Sequence, residues 1–412
     1  MKMSKKIIAV LLSVLFVAGV FAACSSSSDK PEDGGDAGKV KIGFICLHDE
    51  NSTYDLNFIN AAKDAVKTLG LTEDQYIIKT NVPEDQQCAD TAKELIDAGC
   101  NLIFADSFGH ESFMVDVAKE YPNVQFCHAT GTRAHTEGLA NYHNAFASIY
   151  EGRYLAGVAA GMKINQMIED GTKIGNITVT ADNAKMGYVG AHPYAEVKSG
   201  YTSFYLGAKS VCPTVTMEVT FTGEWYSEVK EKEAANKLIN DGCILISQHA
   251  DSMGAPTACE EKGVPNVSYN GSTVDACPNT FIVSSAINWA PYFEYIITQT
   301  SKGDGIDKDW TGTLKTNSVV LSDINEKAAA PGTKEKVAEV KAQLEAGTLH
   351  VFDTSTFTVK GEKLTSYMAD VDTDDKFTPD TEVIADGYFD ESAKRSAPYF
   401  DIDIDGITNI DQ

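Results

Sequence analysis

Residues 225–252 read W-Y-S-E-V-K-E-K-E-A-A-N-K-L-I-N-D-G-C-I-L-I-S-Q-H-A-D-S. Ala234, Ala235, Leu238 and Ile239 recur at helical spacing and make one apolar stripe. Gly242 follows as the stop, since glycine takes the left-handed backbone that ends a helix. Residues 243–246 are a short apolar run of the kind buried in a parallel sheet. Gln248, His249, Asp251 and Ser252 then fall past its carboxyl end, where open α/β sheets bind ligands. The unit occurs twice. Residues 92–107, A-K-E-L-I-D-A-G-C-N-L-I-F-A-D-S, repeat the order helix, Gly, Cys, apolar strand and Asp-Ser loop. Two copies in one chain predict two similar α/β lobes.

The flanking sequence continues the alternation. Upstream, strands at 39–47, 76–79, 102–105 and 124–128 alternate with helices, the first of which stops at Gly70. Such lengths predict a parallel sheet covered by helices on both faces. Y-E-G-R-Y-L-A-G-V-A-A-G-M, from Tyr150, is an apolar helix whose small residues allow close packing. A second series has strands at 174–179, 186–189, 214–221, 267–269 and 280–284, then a helix at 288–300 with Trp289, Tyr292, Phe293 and Tyr295. Residues 312–321 read as a strand pair returning to the first lobe, 331–346 as a charged helix and 349–358 as a strand. After 370 the chain is acidic, with Phe400, Ile402 and Ile404 alternating against Asp. The expected organisation is a first lobe at 39–145 with a return segment at about 286–325, a second lobe at 146–285, and an acidic C-terminal extension at 326–412.

The N-terminus is read as targeting rather than fold. Lys2, Lys5 and Lys6 precede an apolar run at 7–23, then Ala22 and Ala23 stand before Cys24 and four serines follow. The stretch resembles a bacterial lipoprotein signal with its lipobox, although Phe21 replaces the usual aliphatic residue. That resemblance implies removal of 1–23, acylation of Cys24 (palmitate among its lipids), and anchoring on the extracytoplasmic face of the cell membrane. An ordinary signal peptide or a membrane anchor is the alternative. Residues 24–38, rich in Ser, Asp, Gly and Pro, make a flexible tether.

A formal charge of −25 offers no basic footprint for nucleic acid. The other cysteines, Cys46, Cys88, Cys100, Cys127, Cys212, Cys243, Cys259 and Cys277, show neither C-x-x-C nor Cys/His zinc spacing. No metal or cofactor is expected, and the even count leaves disulfides open. Nor is there a G-x-S-x-G elbow, an H-E-x-x-H, a Walker loop or a G-x-G-x-x-G.

Longer motifs carry a family resemblance. S-F-G at 107–109, F-C-H-A-T-G at 126–131, Y-E-G-R-Y-L-A-G at 150–157, the W-Y-S-E-V-K-E-K-E-A-A and Q-H-A-D-S stretches, and N-W-A-P-Y at 288–292 belong to one set. Over residues 39–325 the chain resembles the basic-membrane-protein family of ABC-transporter substrate-binding lipoproteins, nearest to its purine-base-binding branch. The resemblance implies a type I periplasmic-binding-protein fold: two Rossmann-like lobes, a hinge and a cleft that closes on a purine nucleoside or base. The chain is then a monomer that presents its ligand to a membrane ABC permease, and not an enzyme.

Site residues follow one by one. S-T-Y-D stands where nucleoside-binding members carry S-F-N, giving Tyr54 and Asp55. Trp225 matches the second stacking aromatic, so Tyr54 and Trp225 would clamp the flat base from opposite lobes. Phe108 and Ser107 would form a wall, with core packing as the alternative for Phe108. His249 and Asp251 are ligand contacts or helix-capping residues. S-Y-N-G-S puts Asn270 where the family carries an Asp, and an amide both donates and accepts where a carboxylate only accepts. The Lys that nucleoside-binding members carry near the following strand is absent from S-S-A-I-N-W. A sugar or autoinducer as cargo, a sensory receptor, and a purine hydrolase using Asp55, Asp106 or Asp251 are the competing functions.

Overall fold

The computed structural model describes residues 40–371, 373, 374 and 376–411; the expected signal, Cys24 and the tether lie outside them. The chain begins β1 (Ile42–Ile45), α1 (Thr53–Leu69), β2 (Tyr76–Lys79), α2 (Gln86–Asp97), β3 (Leu102–Ala105), α3 (Glu111–Glu120), β4 (Gln125–Ala129) and β5 (Tyr142–Ala147). The helix α4 (Ile149–Glu169) leads into β6 (Lys185–Gly190), α5 (Ala195–Val211), β7 (Thr216–Phe221), α6 (Glu228–Asn240), β8 (Leu245–His249), α7 (Gly254–Lys262), β9 (Asn266–Tyr269) and β10 (Phe281–Ile287). Then come α8 (Ala290–Lys302), β11 (Asp309–Gly312), β12 (Val319–Leu321), α9 (Thr333–Ala346) and β13 (Ile407–Asn409).

Among the described residues the strands form two main sheets, ordered β11-β5-β4-β3-β1-β2 and β12-β10-β9-β8-β6-β7-β13. All pairings in them are parallel except β12 on β10. Set aside the closing strands and the two orders coincide. The repeated sequence unit occupies the same place in each lobe, as α2–β3 and as α6–β8. Every residue of β1, β3 and β8 is buried, as strands covered on both faces require.

Local chemistry sets the element ends. Ser52 caps α1 by accepting from the Asp55 amide at 3.2 Å. Gly242, with φ of 94°, closes α6 while Cys243 donates back to Leu238 O at 3.0 Å. The small residues of α4 permit an unusually close crossing. A Cβ on Gly157 would lie 2.0 Å from Phe204 O of α5, and one on Gly207 the same distance from Tyr154 O.

Several expectations shift. The strand expected at 243–246 runs from Leu245 to His249, so Gln248 and His249 end a strand instead of opening a loop. The stretch expected as one strand at 174–179 is a small separate hairpin. Residues 312–321 divide between sheets, β11 joining β5 and β12 pairing with β10. Residues 349–358 form turns rather than a strand, because Asp353 holds the Ser355 amide and the Thr356 hydroxyl locally. The acidic tail buries Phe400, Ile402 and Ile404, and then adds β13 to the second sheet.

The chain passes between sheets after β5, after β10 and between β11 and β12, which makes the hinge. The helix α8 returns to the first lobe against α1, where Trp289 stacks on Phe58 at 4.6 Å and Phe293 meets Phe44 at 5.0 Å. The eight cysteines among the described residues are buried free thiols. No helix among those residues is long and apolar enough to cross a membrane.

Candidate functional site

The carboxyl ends of the two sheets face one another across a small cavity. Its lining repeats the duplication. The first lobe supplies Leu47, His48, Tyr54 and Asp55 after β1, Ser107 and Phe108 after β3, and Thr130 after β4. From the second lobe come Glu196 after β6, Trp225 after β7, His249 and Asp251 from the end of β8, and Tyr269 from β9. The lobes touch. Thr53 N and Oγ1 both donate to Asp251 O, at 2.9 and 3.2 Å, and Asn57 Nδ2 donates to Ile287 O at 2.5 Å. Rings also meet across the cleft, Phe108 with Tyr194 at 5.3 Å and His48 with Tyr226 at 5.4 Å.

Seven of the eight residues expected in the site line this cavity; Asn270 does not. Its backbone, at φ 62°, donates to Ser285 O at 2.8 Å, and its side-chain amide is buried without a hydrogen bond. Asparagine tolerates that left-handed backbone better than most residues. The neighbouring Tyr269 reaches the cavity instead, with its hydroxyl unpartnered.

The carboxyl groups differ in state. Asp55 accepts from His48 N at 2.8 Å and from Ser52 Oγ at 2.6 Å. Burial works against its charge, yet the hydrogen bonds from His48 and Ser52 together outweigh that and hold its carboxyl below the ordinary range. Asp106 lies behind it, and burial followed by the Asp55 charge pushes its carboxyl well above that range. The pair therefore keeps one proton, as adjacent carboxyls do. Cys46 completes a buried group whose ligand atoms lie within 4.8 Å of one another. Burial and the two carboxyls push its thiol well up. Asp251 is likewise raised well above the ordinary range, by burial and then by Asp55, Glu231 and Glu196. Tyr54 donates its hydroxyl to Asp106 O at 2.8 Å and sets its ring edge-on to Phe58 at 4.8 Å, which fixes it beside the cavity. Trp225 is half-buried, edge-on to His192 at 5.0 Å.

A fully buried cation supports the second lobe's wall. Arg153 of α4 donates to Ser268 O at 3.2 Å, Ser285 Oγ at 3.3 Å, Ser247 Oγ at 2.8 Å and Tyr188 Oη at 3.2 Å. Its guanidinium also lies 5.3 Å from the Tyr269 ring centre. One chain of bonds runs outward from it. Tyr188, accepting from Arg153, can give its own proton to His249 Nδ1 at 3.3 Å, which leaves Nε2–H for Glu196 Oε1 at 3.4 Å. Burial keeps His249 below its ordinary pKa and hence neutral at pH 7.

Glu196, Tyr269, Thr130, His48 and Leu47 were not picked out in the sequence. The duplication carried the signal for Glu196: the H-P-Y-A-E-V loop after β6 is the counterpart of the loop after β1, which holds Tyr54 and Asp55.

Comparison with known proteins agrees with this geometry. Residues 42–346 match the family described as ABC transporter substrate-binding protein, PnrA-like. A purine-binding protein of Brucella abortus is 30% identical over 322 residues, spanning 76% of this chain and 83% of its own. An ABC transporter protein of Haloferax volcanii, provisionally named as glucose-binding, is 30% identical over 62% of this chain; the chain spans 60% of that relative's length. A solute-binding protein of an ABC transporter system from Conexibacter woesei superposes with a TM-score of 0.60 at 20% identity, covering 76% of this chain and 98% of that one. That likeness, with the paired parallel sheets, makes the fold a type I periplasmic-binding-protein fold. Proteins of this kind serve an ABC permease from outside the cytoplasm, at the membrane. With the family match extending over most of the chain, this protein belongs to the PnrA-like ABC transporter substrate-binding proteins.

Proposed function

We propose that this protein captures a purine base or nucleoside between its lobes and delivers it to an ABC importer, with no chemistry done on the ligand. The observation that carries the reading is the cavity itself. It is small, shared by both lobes, and lined by aromatic rings together with hydrogen-bonding groups. Tyr54, Phe108, Trp225 and Tyr269 offer faces and edges to a flat heterocycle. A protonated Asp251 can donate where an ionised one only accepts, and Ser107 and neutral His249 add further polar contacts. The name of the Brucella abortus relative supports the ligand class.

The bridging of both lobes fits closure on the ligand, the open and closed forms being populations that it shifts. In this reading Cys24 carries the lipid that holds a monomer at the membrane, and 24–38 is the tether. Calorimetric titration with adenine, hypoxanthine, guanine and their ribonucleosides tests the reading, with glucose alongside. Micromolar or tighter binding of a purine without product formation is expected. Glucose is the second reading, favoured by the Haloferax volcanii relative. Silence across all the purines, or their hydrolysis, defeats the first.

A further inference from the structure

One residue that shapes the first lobe's wall stands behind it. Glu84, in the loop between β2 and α2, is not among the residues that line the cavity. Its Oε1 accepts from Ser107 Oγ at 2.6 Å and from Gly109 N at 2.7 Å. These two donors flank Phe108, whose ring meets Tyr194 across the cleft. Gly109 allows the approach, since a Cβ there would lie 2.6 Å from the Glu84 carboxyl carbon. The Ser107 carbonyl is pinned as well, accepting from His110 N at 3.0 Å and from His128 Nε2 at 2.7 Å. Ser107 thus faces the cavity with both its carbonyl and its hydroxyl held from behind.

We propose that Glu84 is a positioning residue that decides what Ser107 offers the ligand: an acceptor and not a donor, so that the site selects a purine presenting an N–H at that point. A serine hydroxyl has one proton and two lone pairs. At 2.6 Å from a carboxylate oxygen that proton is committed, within the range of strong charge-assisted bonds. The Gly109 N–H converges on the same oxygen, which acts as acceptor to both. Only the lone pairs of Ser107 Oγ remain for the cavity. The inference rests on the purine reading and names a selection within it. Positions 1 and 6 of the ring carry the exchange that matters, and they are the same in a base and in its nucleoside. Adenine has an amino donor at position 6 and a bare acceptor at position 1. Hypoxanthine reverses both, with a carbonyl at 6 and an N–H at 1. A free hydroxyl would turn to serve either purine. One whose proton is held accepts from the first N–H it meets and sets lone pair against lone pair otherwise, which leaves buried acceptors unmet.

The test measures equilibrium binding of adenine and hypoxanthine to the mature chain. Whichever of positions 1 and 6 meets Ser107, wild-type protein should separate the two by at least about tenfold. Glu84→Leu frees the hydroxyl and should lower that ratio at least about fivefold. Glu84→Gln should keep it within about twofold of wild type, because one amide oxygen can still accept both bonds. Ser107→Ala, which removes the acceptor, should lower the ratio as Glu84→Leu does, and adding Glu84→Leu to it should move the ratio no further. A role for Glu84 in loop stability alone would weaken both purines equally and leave the ratio of Glu84→Leu at the wild-type value. That result overturns the proposal, as does a ratio unmoved in Ser107→Ala or a wild-type protein that binds the two purines alike. Each of these leaves the purine reading standing. Failure of wild-type protein to bind any purine removes both.

Discussion

Closure can be tested at a single backbone amide. Thr53 is the first residue of α1, so its N–H has no partner within the helix. Both that N–H and the Thr53 hydroxyl go across the cleft to Asp251 O, at 2.9 and 3.2 Å. Thr53→Pro should damage this contact and little else. Proline suits the first helical position, and it demands an extended conformation of the preceding residue, which Ser52 already has at φ −79° and ψ 127°. The Ser52 cap on the Asp55 amide is untouched. Two hydrogen bonds at about 0.5–1.5 kcal/mol each amount to roughly 2 kcal/mol. The ring carbon replacing the amide hydrogen also crowds the Asp251 oxygen and adds to the loss. If the ligand-bound form is the closed one, affinity should fall by at least about 30-fold. Thr53→Val, which loses only the hydroxyl bond, should fall by about 3- to 10-fold. Calorimetric titration with the tightest purine reads the affinity, and urea unfolding without ligand reads the stability. Wild-type affinity in a folded Thr53→Pro protein would falsify the view that binding and this interlobe contact are coupled. A loss of stability matching the loss of affinity would point instead to damage within α1.

Three further outcomes follow. Trp225→Ala should weaken purine binding by about 1–3 kcal/mol, the scale of one stacking contact; unchanged calorimetric affinity takes Trp225 out of the site. Gly157→Ala should destabilise the protein by about 3 kcal/mol in urea unfolding, because its Cβ would meet Phe204 O at 2.0 Å. Gly305→Ala, with nothing within 4 Å and no positive φ, is its neutral control, and equal midpoints for the two would mean that α4 and α5 are less closely packed. Burial pushes the Glu391 carboxyl up to about 8 from an ordinary 4.5. Its protonated form is then the native one, so its contribution is complete below about pH 4.5 and is lost as pH rises through 8. Glu391→Gln should leave the protein about 2–4 kcal/mol more stable than wild type at pH 8, with little difference at pH 4.5. Urea midpoints at the two pH values check this, and a variant less stable at pH 8 contradicts it.

The duplication was legible because it rests on local chemistry: the helix stripe, the glycine stop and the buried strand occur in both copies. Those signals placed β3 and β8 at equivalent positions, and with them the loops that carry Ser107, Phe108, His249 and Asp251. The strand end after Cys243 was misplaced because polar Gln248 and His249 are buried in β8, where hydrogen bonds replace hydrophobicity as the reason for burial. Asn270 looked like a ligand contact by position. Its backbone takes a positive φ, which sequence pattern does not reveal, and Tyr269 lines the cavity in its stead. The C-terminal segment was harder still, since its order comes from long-range contacts. Phe400, for example, stacks on Phe352 at 4.3 Å, and β13 pairs with a strand far back in the chain.

The way that segment is held also bears on time. Its bond to Asp309 lies on the first lobe and its bonds to Lys198 on the second, with only the short stretch 396–403 between them. A chain that short has little slack. Swinging the lobes apart by more than that stretch can extend would break one set of bonds, a demand that falls on opening and not on the contacts made with ligand. A segment so held would act as a brake on release. Its contribution would be read in the dwell time of the bound solute, and so in how long a loaded receptor has to find its permease.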